Sequence, residues 1–451
     1  MSGAPSTVPI DLRAGIDGAV TAGLRRIGDQ SVIGFTITGD LRSLSQADGF
    51  TISAACELAR RKGRPIVGFV QSTGADVREG LTAAHGWGTA ANALVKCSGI
   101  VPIALVATGP VVSGPALMLG IADFVVMVRD AYAFVSGPAM VEQFTGLPIE
   151  HDELGGSAIH ASRSGVASMV VDDEDAAVEA VAEALSYLPP SNAELAPWRA
   201  TSDPAERRCP ELLDVLPASA TGSYDVRDVM ATIADDGVIT EVRAGWAANL
   251  VTAFANVGGY PVGIVANQPQ ILAGTLDIAA SQKGGRFVTM CDAFNLAIIT
   301  FVDTPGFQPG KDLEWRGMIR HGAELAFAYA RATVPRLSVT LRKSYGGAYI
   351  VMDSKPMGND LAMAWPSAEI AVMGAKGAVE ILHRRDTPEE RAEREADYEQ
   401  RLLNPYLAAE RGAIDMVIDP TETRAQLSQA LSLMSTKREK LPRRRHDNSP
   451  L

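Results

Sequence analysis

The strongest constraint on this chain is a repetition within it. The segment VQSTGADVREG around Gly74 returns as VDTPGFQPGKD around Gly306, 232 positions later. IVPIALVATGPVVSGPALM returns as TVPRLSVTLRKSYGGAYIVM, with Val101 matching Val334 and Gly114 matching Gly347, 233 positions apart. AFVSGPAMVE, with Gly137, returns as AVMGAKGAVE, with Gly374, 237 positions apart. Ordered anchors at a nearly constant offset predict a duplicated domain. The period is far longer than that of any solenoid repeat.

Each half alternates short apolar runs with helical stretches. Ser31–Ile37, Pro65–Val70, Ile100–Val106 and Phe124–Val128 are strand-like in the first half, and Ile52–Arg61 and Thr82–Lys96 are helix-like. Pro261–Val265, Ala297–Val302, Arg336–Leu341 and Ile370–Met373 are the strand-like runs of the second. Buried strands alternating with helices predict an α/β fold. Between Pro189 and Ser223, six prolines interrupt the pattern, which predicts a break between domains. The expected organisation is a tail over 1–30, a first domain over 31–200, a linker over 201–223 and a second domain over 224–451. Glu389–Glu399 reads as a charged helix, and Lys437–Arg445 as a solvated basic tail.

Composition excludes several functions. With a net charge of −12, the chain lacks the basic surface of a nucleic-acid binder. No apolar run approaches the roughly 20 residues that span a bilayer, so no membrane partner is expected. MSGAPSTVPIDLRAG has no signal-peptide pattern, so a cytoplasmic location is expected. Cys56, Cys97, Cys209 and Cys291 form no CxxC pair, and the six histidines form no HExxH, so no metal is expected.

In each half, two buried strands end at glycine-bearing turns: Gly74-Ala75 and Ser113-Gly114, then Gly306-Phe307 and Gly346-Gly347-Ala348. Such glycines can simply permit tight strand-to-helix turns. They can also leave backbone N–H groups uncovered, forming an oxyanion hole from backbone alone. Two matching pairs favour the second reading. Phosphate binding lacks its motifs, since there is no GxxxxGK[ST], and no GxGxxG opens a helix with an acidic partner. Asp303, after an apolar strand, is either an acid or base or the cap of the following turn. With no GxSxG elbow either, the residues point to oxyanion stabilisation with little acid–base machinery.

IVANQPQILAGTLDIAASQKGGRFVTMCDAFNLAIITFVDTPGFQPG, IRHGAELAFAYARATVPRLSVTLRKSYGGAYIVMDSK and AWPSAEIAVMGAKGAVEIL closely resemble the carboxyltransferase β subunit of biotin-dependent acyl-CoA carboxylases, the acetyl- and propionyl-CoA carboxylase β family. The resemblance implies two crotonase-fold domains of repeated ββα units, and a hexameric ring with active sites shared between subunits. It implies transfer of a carboxyl group from carboxybiotin, held on a partner carrier protein and charged by a biotin carboxylase, to the α-carbon of an acyl-CoA. Two enolates form, one on the thioester and one on the biotin urea, which suits two oxyanion holes.

Carried over by position, the biotin-side hole is the backbone of Gly347 and Ala348, with Gly346, Gly306 and Phe307 forming the adjoining turns. The acyl-CoA-side hole falls at Ser113 and Gly114, with Gly74 and Ala75 beside it. Tyr349 and Ile350 adjoin the acyl group, and Ile350 matches a position that tunes acyl-chain choice. The first half departs from the family. Asp40-Leu-Arg-Ser-Leu44 stands for Phe-Gly-Gly-Ser, Ser72-Thr-Gly-Ala-Asp76 for Ser-Gly-Gly-Ala-Arg, and Val112-Ser-Gly-Pro115 for Ala-Gly-Gly-Ala. The family's N-terminal helical segment is reduced to residues 1–29, so an atypical, shortened first half is expected. Alternatives are a decarboxylase or transcarboxylase of malonyl-type thioesters with the same fold, or a non-catalytic scaffold subunit.

Overall fold

The computed structural model describes residues 18–37, 43–217, 219, 222–437, 439–443 and 446–450. Two compact units divide the chain. The first runs to Pro197 and takes in Val242–Trp246 and Ala293–Asn295, and the second comprises the remainder. Among the described residues, no helix is long and apolar enough to cross a membrane.

The first unit is built on one mixed sheet. β1 (Val20–Ile27) and β2 (Gln30–Ile37) form an antiparallel hairpin. β3 (Ile66–Ser72), β4 (Ile103–Val112), β5 (Phe124–Val128) and β7 (Met169–Val171) extend it in parallel, and β6 (Ala133–Phe134) pairs with the end of β4. The second unit repeats the plan. β9 (Leu250–Val257) and β10 (Tyr260–Asn267) form the hairpin, with β8 (Ile239–Glu241) on its outer edge. β11 (Ala297–Thr304), β12 (Arg336–Tyr345), β13 (Leu361–Ala364) and β15 (Met416–Val417) come next in parallel, and β14 (Glu369–Ala371) pairs with the end of β12.

The hairpins carry the duplication further back than the sequence anchors do. The segment expected to be a tail over 1–30 contains β1, whose counterpart is β9. VTAGLRRI shows no apolar run because Arg25 and Arg26 interrupt it, yet Val20, Ala22 and Ile27 are buried. The segment 201–223 likewise does more than link. Cys209 and Leu212 are buried in the second unit's core beside Val226 and Ile233. The fully buried Arg424 holds this segment by donating to the carbonyls of Asp203 and Pro204 and pairing with Asp235 at 2.7 Å.

Two helices of the first unit, α1 (Gln46–Lys62) and α2 (Leu81–Cys97), cross in close contact. A Cβ on Gly49 would lie 1.9 Å from the carbonyl oxygen of Gly86, so glycine alone permits this approach. α1 opens with a capping box at Ser45 and Asp48 and closes on Gly63 at φ 58°. In the second unit, α3 (Ile278–Ala293) packs Phe287 against Phe254, with the ring centroids 5.2 Å apart. α4 (Met318–Arg331) lies between β11 and β12 in the chain.

The same irregularity appears at the carboxyl ends of the central strands in both units. Val70 pairs with Ala107, but Ser72 pairs with Val111. Val302 pairs with Thr340, but Thr304 pairs with Ser344. Each bulge places two extra residues on the later strand. A bulge bends the ladder and re-aims the chain beyond it. In both units the chain beyond the bulge is a glycine turn.

Candidate active site

Both halves hold their first turn with the same bonds. The Gly74 N–H donates to Ser72 Oγ at 3.1 Å, and the Gly306 N–H donates to Thr304 Oγ1 at 3.4 Å. The Leu44 N–H donates to the Gly74 carbonyl at 2.7 Å, and the Leu276 N–H donates to the Gly306 carbonyl at 3.1 Å. A return bond from Asp76 to Leu44, or from Gln308 to Leu276, clamps Ala75 or Phe307 between them. A serine or threonine two residues before the glycine therefore builds each turn.

In the second half, Asp303 organises the bulge. Its Oδ2 accepts from Tyr224 Oη at 3.0 Å and Arg342 Nε at 3.1 Å, and its Oδ1 accepts the Lys343 N–H at 3.0 Å. Burial pushes the Asp303 carboxyl above the usual carboxylate range, against the opposing pull of Arg342 and the Lys343 N–H. Among the described residues, the carboxylate caps no N–H of the turn that follows it; its three donors come from Tyr224 and from β12. The carboxylate joins β11 to β12 just before their turns.

Beyond β12, Gly346 takes φ 59° and α5 (Gly346–Val351) begins. The N–H groups of Gly347 and Ala348 lie in the first turn, where the helix supplies no acceptor. The Phe307 ring lies 3.4 Å from where a Cβ on Gly347 would stand, so Gly306-Phe307 and Gly346-Gly347 come together. Gly346, Gly347, Tyr349 and Ile350 share the wall of a cavity of about 470 Å³. Ala348, between Gly347 and Tyr349, is fully buried and is not part of that wall. Ile370 and Val372 line the cavity from β14 and the turn after it. Leu402, Leu407, Arg411 and Ala413 close it from the helices α6 (Pro388–Leu402) and α7 (Pro405–Glu410) and the turn beyond. Tyr349 Oη donates to the Ala413 carbonyl at 3.3 Å, and burial raises its pKa. Ile350 is 37% exposed, so it is a wall residue rather than core packing. The lining from residues 402–413 has no counterpart among the glycine motifs and carries no sequence signal of a site.

The first half departs from this pattern. Ser113, at φ 63°, stands where the second half has Gly346. Its N–H donates to the Phe134 carbonyl at 2.9 Å, so the expected backbone donor at Ser113 is already committed. Pro115 stands where the second half has Ala348, and proline has no N–H. Of the expected Ser113-Gly114 pair, only Gly114 retains an uncommitted backbone donor. The indole of Trp87, on α2, covers Gly114, and a Cβ there would lie 2.5 Å from the ring. Gly74 and Ser113 are adjacent, since a Cβ on Gly74 would stand 3.4 Å from Ser113 Cβ. Asp76, where the family has arginine, accepts from Arg78, which holds its carboxyl down at about 2. Asp40–Arg42 of the altered first turn lie outside the described residues.

A duplicated α/β domain with paired glycine turns defines a class, and similarity to known proteins identifies it. Residues 30–449 match the carboxyl transferase domain, and the chain belongs to that family. It is 42% identical over 422 residues to the methylmalonyl-CoA carboxyltransferase 12S subunit of Propionibacterium freudenreichii subsp. shermanii, covering 92% of this chain and 80% of that protein. It is also 42% identical, over 424 residues, to the propionyl-CoA carboxylase carboxyltransferase subunit of Haloferax mediterranei, covering 92% and 82%. A crystal structure of the transcarboxylase 12S hexamer, with methylmalonyl-coenzyme A and methylmalonic acid bound, superposes with a TM-score of 0.93 at 40% identity, covering 97% of this chain and 86% of that one. The fold is therefore the expected crotonase-like one. The relatives align along 92% of this chain, so the first half is not markedly shortened, and the chain spans 80–82% of their length.

Proposed function

We propose that this protein is the carboxyltransferase subunit of a biotin-dependent acyl-CoA carboxylase. The observation that carries the reading is the second-half turn. The N–H groups of Gly347 and Ala348 open a helix, and Gly347 lines a largely apolar cavity with Ala348 buried next to it. That combination fits a ligand with an apolar body and one carbonyl oxygen, as biotin has. Carboxybiotin, carried by a partner protein, supplies the carboxyl group.

This chain's own residues bind and orient. Gly347 and Ala348 donate to the urea oxygen, holding the negative charge that develops there as the carboxyl group leaves. Such a donor contributes roughly 3–4 kcal/mol when it acts on the developing charge alone. Phe307, Ile350, Ile370 and Leu407 keep water from the reacting atoms. On the acyl side, the turns at Gly74-Ala75 and Ser113-Gly114 receive the thioester oxygen. No side chain has to remove the α-proton, since biotin that has lost its carboxyl group is itself basic. The protein works as a homo-oligomer, a hexamer like the transcarboxylase core, with a biotin carboxylase and a biotin carboxyl carrier as partners.

The test supplies the biotinylated carrier, biotin carboxylase, ATP and bicarbonate, and measures the malonyl-type product formed from acetyl-, propionyl- and longer acyl-CoAs. Carrier-dependent product supports the reading. Decarboxylation of malonyl-type thioesters with no carboxylation would replace it with the decarboxylase alternative, and inactivity in both directions would leave the scaffold role.

A further inference from the structure

We propose that the Ser113 hydroxyl is the second donor of the acyl-side oxyanion hole, replacing the backbone N–H that Pro115 lacks. The proposal rests on the carboxyltransferase reading above and adds a side-chain role within it.

Three observations converge on this hydroxyl. Ser113 adopts φ 63° and ψ −142°, a region that is essentially glycine's, and its counterpart Gly346 takes φ 59° without a side chain. A serine persists in such a conformation only where its surroundings impose it, and residues of this kind cluster at active sites. The donor count differs between the halves. Gly347 and Ala348 provide two N–H groups, whereas the Ser113 N–H is bonded to Phe134 and Pro115 has none. The third observation is placement. Ser113 is exposed, and its Cβ stands beside the Gly74 turn on one side and Gly114 on the other. Among the described residues its hydroxyl meets no protein partner. A serine hydroxyl carries one proton to donate and rotates to aim it.

The chemistry needs no proton transfer. As the α-proton leaves, negative charge gathers on the thioester oxygen. The Gly114 N–H and the Ser113 O–H both donate to that oxygen, and both keep their protons. Trp87 packs the Nε1–Cζ2 side of its indole against Gly114 and walls the turn there.

The test compares Ser113→Ala, Ser113→Gly and the double variant Ser113→Gly with Pro115→Ala, using the assembled enzyme, its biotinylated carrier and propionyl-CoA as the probe. Ser113→Ala is expected to lose about 100-fold in kcat with KM little changed, the loss typical of one such donor. Release of the carboxyl group from carboxybiotin without acyl-CoA reads the second-half turn and should not fall with it. Ser113→Gly should lose activity to a similar degree while its Tm rises, because the backbone is relaxed. The double variant restores the Gly-Gly-Ala pattern of the second half and should regain at least about 10-fold over Ser113→Gly. Wild-type-like kcat in both single variants would overturn the proposal, as would failure of the double variant to recover. A wild-type protein that carboxylates no acyl-CoA would overturn the functional reading instead, so the two failures are distinct.

Discussion

Replacing Asp303 by asparagine removes one charge from the second unit's interior and leaves Arg342 there. The Asp303 side chain is 2% exposed and that of Arg342 is 10% exposed, so water can solvate neither group. The carboxylate accepts three hydrogen bonds, from Tyr224, Arg342 and Lys343. An asparagine amide would turn its NH₂ towards at least one of these donors. Breaking one partner out of a buried pair costs about 3–5 kcal/mol. Because burial already pushes the Asp303 carboxyl up despite Arg342, the pair is not strongly favourable, and the lower end of that range applies. A loss of about 3 kcal/mol corresponds to a fall in Tm of about 6–12 °C for a domain of this size. Calorimetry of Asp303→Asn measures it. The apolar double variant Asp303→Leu with Arg342→Met should recover part of the loss, since no orphan charge remains although the Tyr224 hydroxyl and the Lys343 N–H lose their acceptor. An unchanged Tm for Asp303→Asn, or a double variant worse than the single one, would refute this account of the bulge.

The same geometry sets three further outcomes. Gly347→Val covers the second-half donors and crowds Phe307, so carboxyl transfer should fall at least about 100-fold, measured as initial rates on a variant with native circular dichroism. Ile350→Asp puts a carboxylate on the wall of the cavity given to biotin, at the position that the resemblance ties to acyl-chain choice, and the ratio of kcat/KM between short acyl-CoAs should change by roughly 10-fold or more; an unchanged ratio removes Ile350 from acyl selection. Asp353 is fully buried, paired with Arg336 at 2.8 Å and bonded to Asn359, and burial pushes its carboxyl up to about 6. The folded state thus holds that proton to higher pH than the unfolded chain, where the pKa is about 3.9. Its stabilising contribution, of the order of 3 kcal/mol, is complete below about pH 4 and is lost as pH rises through 6. Urea denaturation from pH 4.5 to 7 should show a steeper decline for the wild type than for Asp353→Asn, and equal slopes would contradict the assignment.

What the sequence made legible was the part governed by local pattern. Strand runs such as Arg336–Leu341 and helices such as Thr82–Lys96 declared themselves through period and composition. The glycine turns were legible because the duplication displayed them twice. β1 was hidden, since VTAGLRRI puts one arginine on each face of the strand and so breaks the alternation on both. Trp87 carries no motif, and its contact with Gly114 comes from α2, which crosses α1 at Gly49 and Gly86. The committed N–H of Ser113 depends on Phe134, 21 positions away in another strand. The cavity wall from Leu402 to Ala413 arrives from helices that no motif ties to the turns. In each case the missing information was a contact between segments distant in sequence.

A crystal structure of the assembled protein with biotin and a non-reactive acyl-CoA analogue tests the central claim most directly. The biotin urea oxygen should lie about 2.7–3.1 Å from the Gly347 and Ala348 nitrogens, with the ring system in the cavity bounded by Ile350, Ile370 and Leu407. Biotin bound away from these two nitrogens, or with its urea oxygen held by a side chain instead, would contradict it.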